Sequence, residues 1–321
     1  MEFSKIKLNP LILFSLIMVN ILCSPKIKYF GCIEGDCHNG LGKWLDGYGN
    51  QYSGNFKDGK KQGKGSFTYP DGEKWEGIWK GDKRWSGAGT IKTIWYIYKG
   101  EYKNGDRNGN GDFTYFNFPN NSRYIGDWQN GNMHGKGTFT FRSGAKYEGD
   151  WEKGKMHGKG TYSFFSGSNF QGEIIADKIE GTGKYSQTDG FNYEGQFEDD
   201  LFNGNGLERH NDSLFFKGNY ENGYRDGNGE LFYSEYEKYI GNWYNGQKHG
   251  LGKEKFTNGD AYIGEWKNGR FNGHGIMVDK DGQKLSGIWI NGILDQKIDD
   301  KNILLHLDKK YTEFETLDTT K

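Results

Sequence analysis

Large apolar residues, most of them aromatic, alternate with glycine along this chain in a pattern that repeats every 23 residues. Each copy opens with a large apolar residue, has a glycine two positions later, and has a second large apolar residue two positions beyond that. Period-two alternation is typical of a β-strand, because successive side chains of a strand point to opposite faces. Eleven copies fit the pattern, and one interval is lengthened to 26 residues. We therefore predict a repeat protein.

Three positions define each copy. The opening residue, called the anchor below, is Tyr52, Trp75, Tyr98, Tyr124, Tyr147, Phe170, Tyr193, Phe216, Tyr239, Tyr262 or Leu285. The glycine two positions later is Gly54, Gly77, Gly100, Gly126, Gly149, Gly172, Gly195, Gly218, Gly241, Gly264 or Gly287. The second large apolar residue is often tryptophan, as at Trp128, Trp151, Trp243 and Trp266. We predict that these glycines and tryptophans are structural residues of the repeat.

A turn and a second alternating segment complete each copy. The turn is usually Asn-Gly or Lys-Gly, and glycine permits the positive φ that tight hairpin turns need. A Gly-x-Gly pair and a second alternation follow, so each copy is predicted to be one β-hairpin. Three copies replace the usual turn with Gly81-Asp82-Lys83, Ala176-Asp177-Lys178 or Asp199-Asp200. The extra residues around 117–122 are predicted to form a bulge between the third and fourth copies.

A single hairpin of this length cannot bury a core, so stability must come from neighbouring hairpins that stack edge to edge. Because rings and glycines fall on the same face of paired strands, each ring can cover a glycine of the neighbouring strand. We therefore predict an all-β fold: an extended, twisted, single-layer antiparallel sheet of about eleven stacked hairpins, solenoid-like. At about 4.8 Å between strands, it would be roughly 100 Å long.

The composition agrees with this prediction only when the order of residues is considered. Aromatic residues are 17% of the chain, all hydrophobic residues only 33%, and the mean hydropathy is -0.92. Such values would otherwise indicate disorder, because little apolar surface is available for a core. The strict spacing of rings and glycines excludes that interpretation.

One copy carries a recognisable motif. Residues 147–162 read YEGDWEKGKMHGKGTY, which resembles a MORN repeat, the membrane occupation and recognition nexus motif. The resemblance extends over residues 52–292. It implies hairpins stacked in an extended antiparallel sheet, and a scaffold that binds proteins or phospholipids. Enzymes of this family carry a separate catalytic domain, and no such domain is visible in the sequence.

The first 23 residues predict an export signal. Lys5 and Lys7 precede an apolar run at residues 11–22 that ends at Cys23. A run of this length suits a signal peptide and is short for a membrane span. Cys23 resembles the lipidated residue of a bacterial lipoprotein and is the candidate for lipidation, with cleavage near Ser24 or an uncleaved anchor as alternatives. We expect a protein exported to the bacterial cell envelope: periplasmic, an outer-membrane lipoprotein or secreted.

Residues 24–51 are predicted to be a linker and a degenerate repeat copy that caps the array. Cys32 and Cys37 remain as a pair once Cys23 is removed or acylated. A disulfide between them is feasible in an oxidising compartment, and two free thiols are the alternative. A zinc site is not expected, because three cysteines without a Cys-x-x-Cys pair do not supply four ligands.

The array is predicted to span residues 52–294, followed by a cap helix and tail at residues 295–321. Within residues 297–311, Ile298, Ile303, Leu304, Leu307 and Tyr311 fall on one helical face. We expect this helix to cover the open edge of the last hairpin. Binding of a partner is the alternative role.

The chain offers no recognisable chemistry. His134, His157 and His249 share one turn position, but adjacent copies would lie about 9.6 Å apart, too far to share one metal ion. The 42 basic and 43 acidic residues are interspersed, with a net charge of -1. Nucleic acid binding needs a concentrated positive field, so it is not expected. We assign no catalytic, cofactor-binding or metal-binding residue and do not expect an enzyme.

Two functions remain. The first is a non-enzymatic scaffold for protein–protein interaction in the cell envelope, with an unknown protein or a second copy of the chain as partner. The alternative is binding of cell-wall glycan or phospholipid through exposed aromatic faces. The burial of the rings distinguishes the two, because glycan binding requires exposed tryptophan faces in at least three adjacent copies.

Overall fold

The computed structural model describes residues 30–116, 121–210 and 214–310. This part of the chain contains 24 β-strands and one α-helix, in two compact units that meet in sequence between Phe165 and Ser166. The predicted export signal, Cys23 and the tail beyond residue 310 lie outside the described residues, as does most of the predicted bulge at 117–122. Among the described residues, no helix is long and apolar enough to span a membrane.

The first unit contains twelve strands: β1 (Gly31–Gly35), β2 (Leu41–Leu45), β3 (Gln51–Lys57), β4 (Lys60–Thr68), β5 (Lys74–Lys80), β6 (Lys83–Lys92), β7 (Tyr96–Lys103), β8 (Asp106–Tyr115), β9 (Ser122–Gln129), β10 (Asn132–Thr140), β11 (Lys146–Glu152) and β12 (Lys155–Ser163).

The second unit contains twelve strands and the helix: β13 (Asn169–Ile175), β14 (Lys178–Ser186), β15 (Asn192–Glu198), β16 (Leu201–Arg209), β17 (Phe215–Glu221), β18 (Tyr224–Phe232), β19 (Lys238–Tyr244), β20 (Gln247–Lys255), β21 (Ala261–Lys267), β22 (Arg270–Val278), β23 (Lys284–Ile290), β24 (Ile293–Lys297) and α1 (Asp300–Lys310).

Within each unit, every strand pairs antiparallel with the next strand in sequence. In the hairpin of β11 and β12, Gly149 is opposite Gly160. Between hairpins, Gly137 of β10 is opposite the same Gly149. Three glycines therefore lie side by side across three strands, and the predicted all-β antiparallel fold is confirmed.

The turn within each hairpin copy has positive φ at both central residues, as type I′ hairpin turns require. Asn130 and Gly131 have φ of 50° and 81°. The unusual turn at Asp199 and Asp200 has the same backbone form, with φ of 49° and 67°. The irregular copies therefore keep the turn and change only its residues. Aspartate tolerates this region better than most side chains, whereas Ala176 adopts it, with a φ of 52°, without that preference.

Each regular hairpin contains a bulge that the sequence did not predict. Between Gly149 and Asp150 the register shifts, so Gly158 and Lys159 of β12 have no partner on β11. Gly158 has a φ of 61°, and the Lys159 amide donates to the Asp150 carboxylate over 3.1 Å. The Asp150 carboxylate therefore satisfies a backbone donor that the bulge leaves unpaired within the hairpin.

The anchor rings lie flat over the glycines. The Tyr147 hydroxyl is 3.0 Å from the Asp150 carbonyl oxygen and 3.2 Å from that of His157, which stretches the ring across Gly149 and Gly160. Ten of the eleven anchors are at most 1% exposed, and Leu285 is the exception at 38%. A sheet without a second layer can thus bury large rings against its own bare backbone.

In five copies the tryptophan at this position closes over the preceding hairpin and donates a hydrogen bond to it. The Trp151 indole donates to the carbonyl oxygen of Gly137 over 3.1 Å, and its ring packs edge-on against Tyr124 and Tyr147, each at 5.3 Å. The same bond to a glycine fourteen residues earlier is formed by Trp79, Trp243, Trp266 and Trp289. In these copies a hairpin is therefore completed by the tryptophan of the hairpin that follows it.

Helix α1 is shorter than predicted and covers a different surface. It begins at Asp300, and its buried side chains Ile303 and Leu307 pack against Leu251 of β20 and Ile276 of β22. Leu251 and Ile276 lie on the sheet face opposite the rings, so the helix covers that face rather than the edge of β24. The expected position was wrong because it considered only the open edge, whereas two apolar residues on the outer face provide the larger gain on burial.

Candidate partner-binding surface

The repeat rings themselves are not available to a ligand. Trp128, Trp151, Trp243 and Trp266 are 4–6% exposed. Trp95, which is not a repeat position, is 63% exposed. The condition for glycan binding, exposed tryptophan faces in three adjacent copies, is therefore not met in the described part of the chain.

The two cysteines near the start of the described chain form a disulfide between Cys32 and Cys37. They belong to β1 and the loop before β2, and β2 pairs with β3, the first strand of the regular array. The disulfide thus closes a five-residue span in a short hairpin that covers one end of the first unit.

A cluster of titratable side chains lies beneath helix α1. Glu265 Oε2 is 3.3 Å from His274 Nδ1 and 3.8 Å from His306 Nε2, and the Lys310 ammonium contacts the other carboxylate oxygen. The two imidazole rings are stacked at 3.6 Å. The arrangement ties the helix to the sheet, and Lys310 already balances the carboxylate charge.

That cluster could not be found from the sequence, because His274 and His306 are separated by 32 residues and by a change from strand to helix. Burial, together with the nearby charges of His274 and Lys310, lowers the pKa of His306 below its ordinary 6.5, although Glu265 acts in the opposite direction.

One position of the repeat varies in a way that bears on binding. The ninth residue after the anchor, called position nine below, pairs directly with the second large apolar residue of its copy, as Met156 does with Trp151. It therefore lies on the ring face. Its occupants are Lys61, Arg84, Arg107, Met133, Met156, Ile179, Phe202, Arg225, Lys248, Phe271 and Leu294.

The cations at position nine in the second unit each have a carboxylate from the chain itself. Arg225 Nη2 is 2.8 Å from Glu208 Oε1, and the Tyr220 hydroxyl donates to the same carboxylate. Burial would raise the pKa of Glu208, but the bonds and charge from Arg225 outweigh it and lower that pKa. Lys248 is likewise paired with the buried Glu254.

Arg84 and Arg107 of the first unit lie on rings without such a carboxylate. The Arg84 guanidinium carbon is 5.0 Å from the Phe67 ring centre and 5.2 Å from that of Trp79. The guanidinium carbon of Arg107 is 4.7 Å from the ring centres of both Phe113 and Trp128. Among the residues that the structure describes, neither guanidinium forms an ion pair with an aspartate or glutamate.

Arg84 is only partly satisfied in its site. Its Nη2 donates to the Tyr69 hydroxyl over 3.2 Å, while its buried Nε has no hydrogen-bond partner within the described ranges. Burial lowers the pKa of Arg84. The charged guanidinium is therefore held where water is partly excluded and where the chain provides too few acceptors.

Exposed apolar side chains border this pair of arginines. Ile94 and Trp95, in the loop between β6 and β7, are 83% and 63% exposed, and Tyr115 and Phe116, at the end of β8, are 42% and 37% exposed. The Phe116 amide donates to the Trp95 carbonyl oxygen over 2.9 Å, which holds the two segments together. We call these four residues the apolar ledge.

The ledge adjoins the arginines through shared rings. Tyr96 is stacked on Phe113 at 5.1 Å, and Phe113 is stacked on Tyr115 at 6.2 Å. The Arg107 guanidinium lies over Tyr96 as well, 5.8 Å from its centre. The sequence contained a signal for this surface, because Ile94 and Trp95 are adjacent apolar residues in a loop. Only alignment at position nine reveals the arginines beside them.

The hairpin geometry agrees with a comparison to known families. The profile of the MORN repeat matches nine segments: residues 52–74, 98–117, 124–146, 147–169, 170–190, 193–213, 216–236, 239–261 and 262–284. These segments cover more than half of the chain.

The chain belongs to the MORN repeat family. The second and eleventh MORN copies are not matched, although the structure places hairpins there. In the second MORN copy the turn is Gly81-Asp82 and the glycine pair is displaced by one residue, and the eleventh opens with Leu285 in place of a ring. A comparison with curated proteins finds no match.

Proposed function

We propose that this MORN repeat protein is a non-enzymatic scaffold that binds a protein partner at the first unit, around the apolar ledge. The observation that carries the proposal is the contrast in exposure: the repeat rings are used in packing, whereas four large apolar side chains of the ledge remain in solvent. Contiguous exposed apolar surface on a soluble protein commonly marks an interaction site. Aromatic residues are also enriched among residues that dominate binding energy.

The experiment compares a double variant of the ledge with a control variant outside it, in cells that produce the protein. Ile94→Ser with Trp95→Ser removes the most exposed part of the ledge, and Tyr236→Ser removes a ring of similar exposure (64%) from a loop of the second unit. Chemical crosslinking followed by mass spectrometry of the tagged full chain identifies bound proteins. We expect one protein to be recovered with the wild type and with Tyr236→Ser, and to be lost from the double variant. Equal recovery from both variants would remove the ledge from the proposal.

We also propose that the scaffold acts in the bacterial cell envelope, held there by an N-terminal lipid anchor. The support is the apolar run that ends at Cys23 and the Cys32–Cys37 disulfide, a bond typical of oxidising compartments. Cell fractionation of the full-length chain tests this. Wild-type protein should sediment with membranes and Cys23→Ser should not, while recovery of the wild type in the cytosol would contradict the proposal.

A further inference from the structure

We propose that Arg84 and Arg107 form a carboxylate-binding site for an acidic segment of the protein partner, beside the apolar ledge. This inference rests on the proposed function and adds the chemistry of the ligand to it. Its basis is a comparison between copies of the same repeat, in which one unit supplies a carboxylate to the arginine at position nine and the other does not.

Arg225 in the second unit shows that an arginine at position nine can bind a carboxylate. Arg225 at position nine holds Glu208 at 2.8 Å among the rings, and Glu208 is only 8% exposed. Glu208 is directly opposite the anchor Phe216 in the register of β16 and β17. An arginine on this face can therefore bind a carboxylate that has lost most of its water, and such charge-assisted pairs are the strong ones.

The first unit has apolar residues at the register position of Glu208. Phe67 is opposite the anchor Trp75, and Ile91 is opposite the anchor Tyr98. Neither side chain can accept a hydrogen bond. Arg84 and Arg107 thus lie in the same ring-lined setting as Arg225, but without the internal acceptor.

The two arginines act on a common surface. Burial raises the pKa of Tyr102, and the charges of Arg107 and Arg84 both act on the same hydroxyl in the opposite direction. Arg84 and Arg107 are only half-buried, so an external acceptor can approach the part of each residue that remains in solvent. A ligand with two carboxylates could therefore contact both arginines at once.

The apolar ledge indicates that the ligand has apolar side chains next to its carboxylates. Its exposed rings adjoin Arg107 through Tyr96 and Phe113, so apolar side chains next to the carboxylates would be buried on binding. An acidic peptide with alternating apolar residues fits this combination better than a membrane surface, because the exposed lysines and arginines of the chain are interspersed with acidic residues.

The chain itself suggests variants that should keep the fold. Position nine is methionine at Met133 and Met156, so Arg84→Met with Arg107→Met removes both charges and keeps an occupant that the repeat accepts. The control is Lys83→Gln with Lys103→Gln, which removes the same charge from exposed residues nearby. A third variant, Phe67→Glu, places a carboxylate of the chain where Glu208 lies relative to Arg225.

The test measures binding to the full chain by fluorescence anisotropy. The probe is a labelled twelve-residue peptide of alternating glutamate and leucine, with a glutamine–leucine peptide and phosphatidylglycerol vesicles as comparisons, and thermal unfolding of each variant verifies the fold. We expect the acidic peptide to bind more tightly than its glutamine counterpart. The double methionine variant should weaken that binding about tenfold or more, since each charged hydrogen bond contributes substantially. Phe67→Glu should also weaken it, and the lysine control should change it less than about twofold.

Equal affinity for the two peptides, or an equal loss in the arginine and lysine variants, would overturn the carboxylate site. Preference for the vesicles over the acidic peptide would replace it with a lipid surface. Either result leaves the ledge intact as a partner site, because the crosslinking experiment on Ile94 and Trp95 does not depend on the arginines.

Discussion

The packing of rings over bare backbone predicts that one added methyl group has opposite effects at two glycines of the first unit. Gly149 lies in the sheet, where an added Cβ would be 2.5 Å from the Tyr147 hydroxyl oxygen, 2.6 Å from Gly160 Cα and 2.7 Å from the Lys159 carbonyl oxygen. Gly47 lies in the loop before β3, and a Cβ there would meet no atom within 4 Å. Neither glycine has a positive φ, so the comparison isolates space from backbone strain.

The expected changes in the free energy of unfolding for Gly149→Ala and Gly47→Ala differ by several times the usual error of a stability measurement. Two of the three close atoms at Gly149 are backbone of the paired strand, so the sheet must open or the Tyr147 ring must move. Overpacking of this kind costs about 1–3 kcal/mol, and loss of the hydroxyl bonds adds about 1 kcal/mol. We expect Gly149→Ala to destabilise the first unit by about 2–4 kcal/mol, whereas Gly47→Ala should be neutral or stabilising by up to about 1 kcal/mol.

Urea denaturation and amide hydrogen exchange together form the assay. A repeat array need not unfold in one step, so exchange of the β11 and β12 amides reports the local effect, and the urea midpoint reports the wider one. Lys155→Ala, at the exposed start of β12, should change the free energies derived from amide exchange and from urea denaturation by less than about 0.5 kcal/mol each. Equal shifts for Gly149→Ala and Gly47→Ala would refute the ring-over-glycine account, as would equal shifts for Gly149→Val and Lys155→Ala.

Three further predictions follow from the second unit. Glu254→Gln should destabilise the protein by about 3 kcal/mol in urea denaturation, because it leaves the Lys248 ammonium buried without its partner. Adding Lys248→Met should restore most of the lost stability, and a double variant as unstable as Glu254→Gln would contradict the pairing. Leu307→Ala should release helix α1, seen as faster amide exchange in the helix, at a cost of about 2–3 kcal/mol, while Leu305→Ala, at a residue that is 49% exposed, should have little effect. Burial and neighbouring positive charge lower the pKa of His306 below 6.5. The unfolded chain therefore binds this proton at a higher pH than the folded chain, and the free energy of unfolding should fall slightly as the pH drops below about 6.5. The fall should be smaller in His306→Gln, and a pH profile identical to that of the wild type would show that His306 does not contribute.

The regular part of the fold was predictable because its determinants are local. Alternation of rings and glycine fixes the strands, and a residue pair such as Asn130-Gly131 fixes the turn, so each hairpin is specified within about 23 residues. The turn at Asp199-Asp200 shows that the backbone form persists when the residues change. What repeats in sequence is therefore also what repeats in structure.

The remaining features depend on contacts that the sequence does not reveal. The bulge at Gly158 depends on the Asp150 carboxylate across the hairpin. The site of helix α1 depends on Leu251, 52 residues before Ile303. Position nine reveals its arginines only after the copies are aligned, and the absence of a carboxylate near Arg84 requires coordinates, since charge is evenly spread along the chain.

In five copies the indole of a tryptophan bonds to the hairpin before it, so each of those earlier hairpins is completed only after the later one has been synthesised. Gly137 emerges from the ribosome fourteen residues before Trp151, the side chain that covers it. At translation rates of about 5–20 residues per second, about one to three seconds separate the synthesis of Gly137 from that of Trp151. During synthesis only the most recently made hairpin would then lack its covering tryptophan. Little exposed aromatic surface would be available for aggregation with neighbouring chains at any moment.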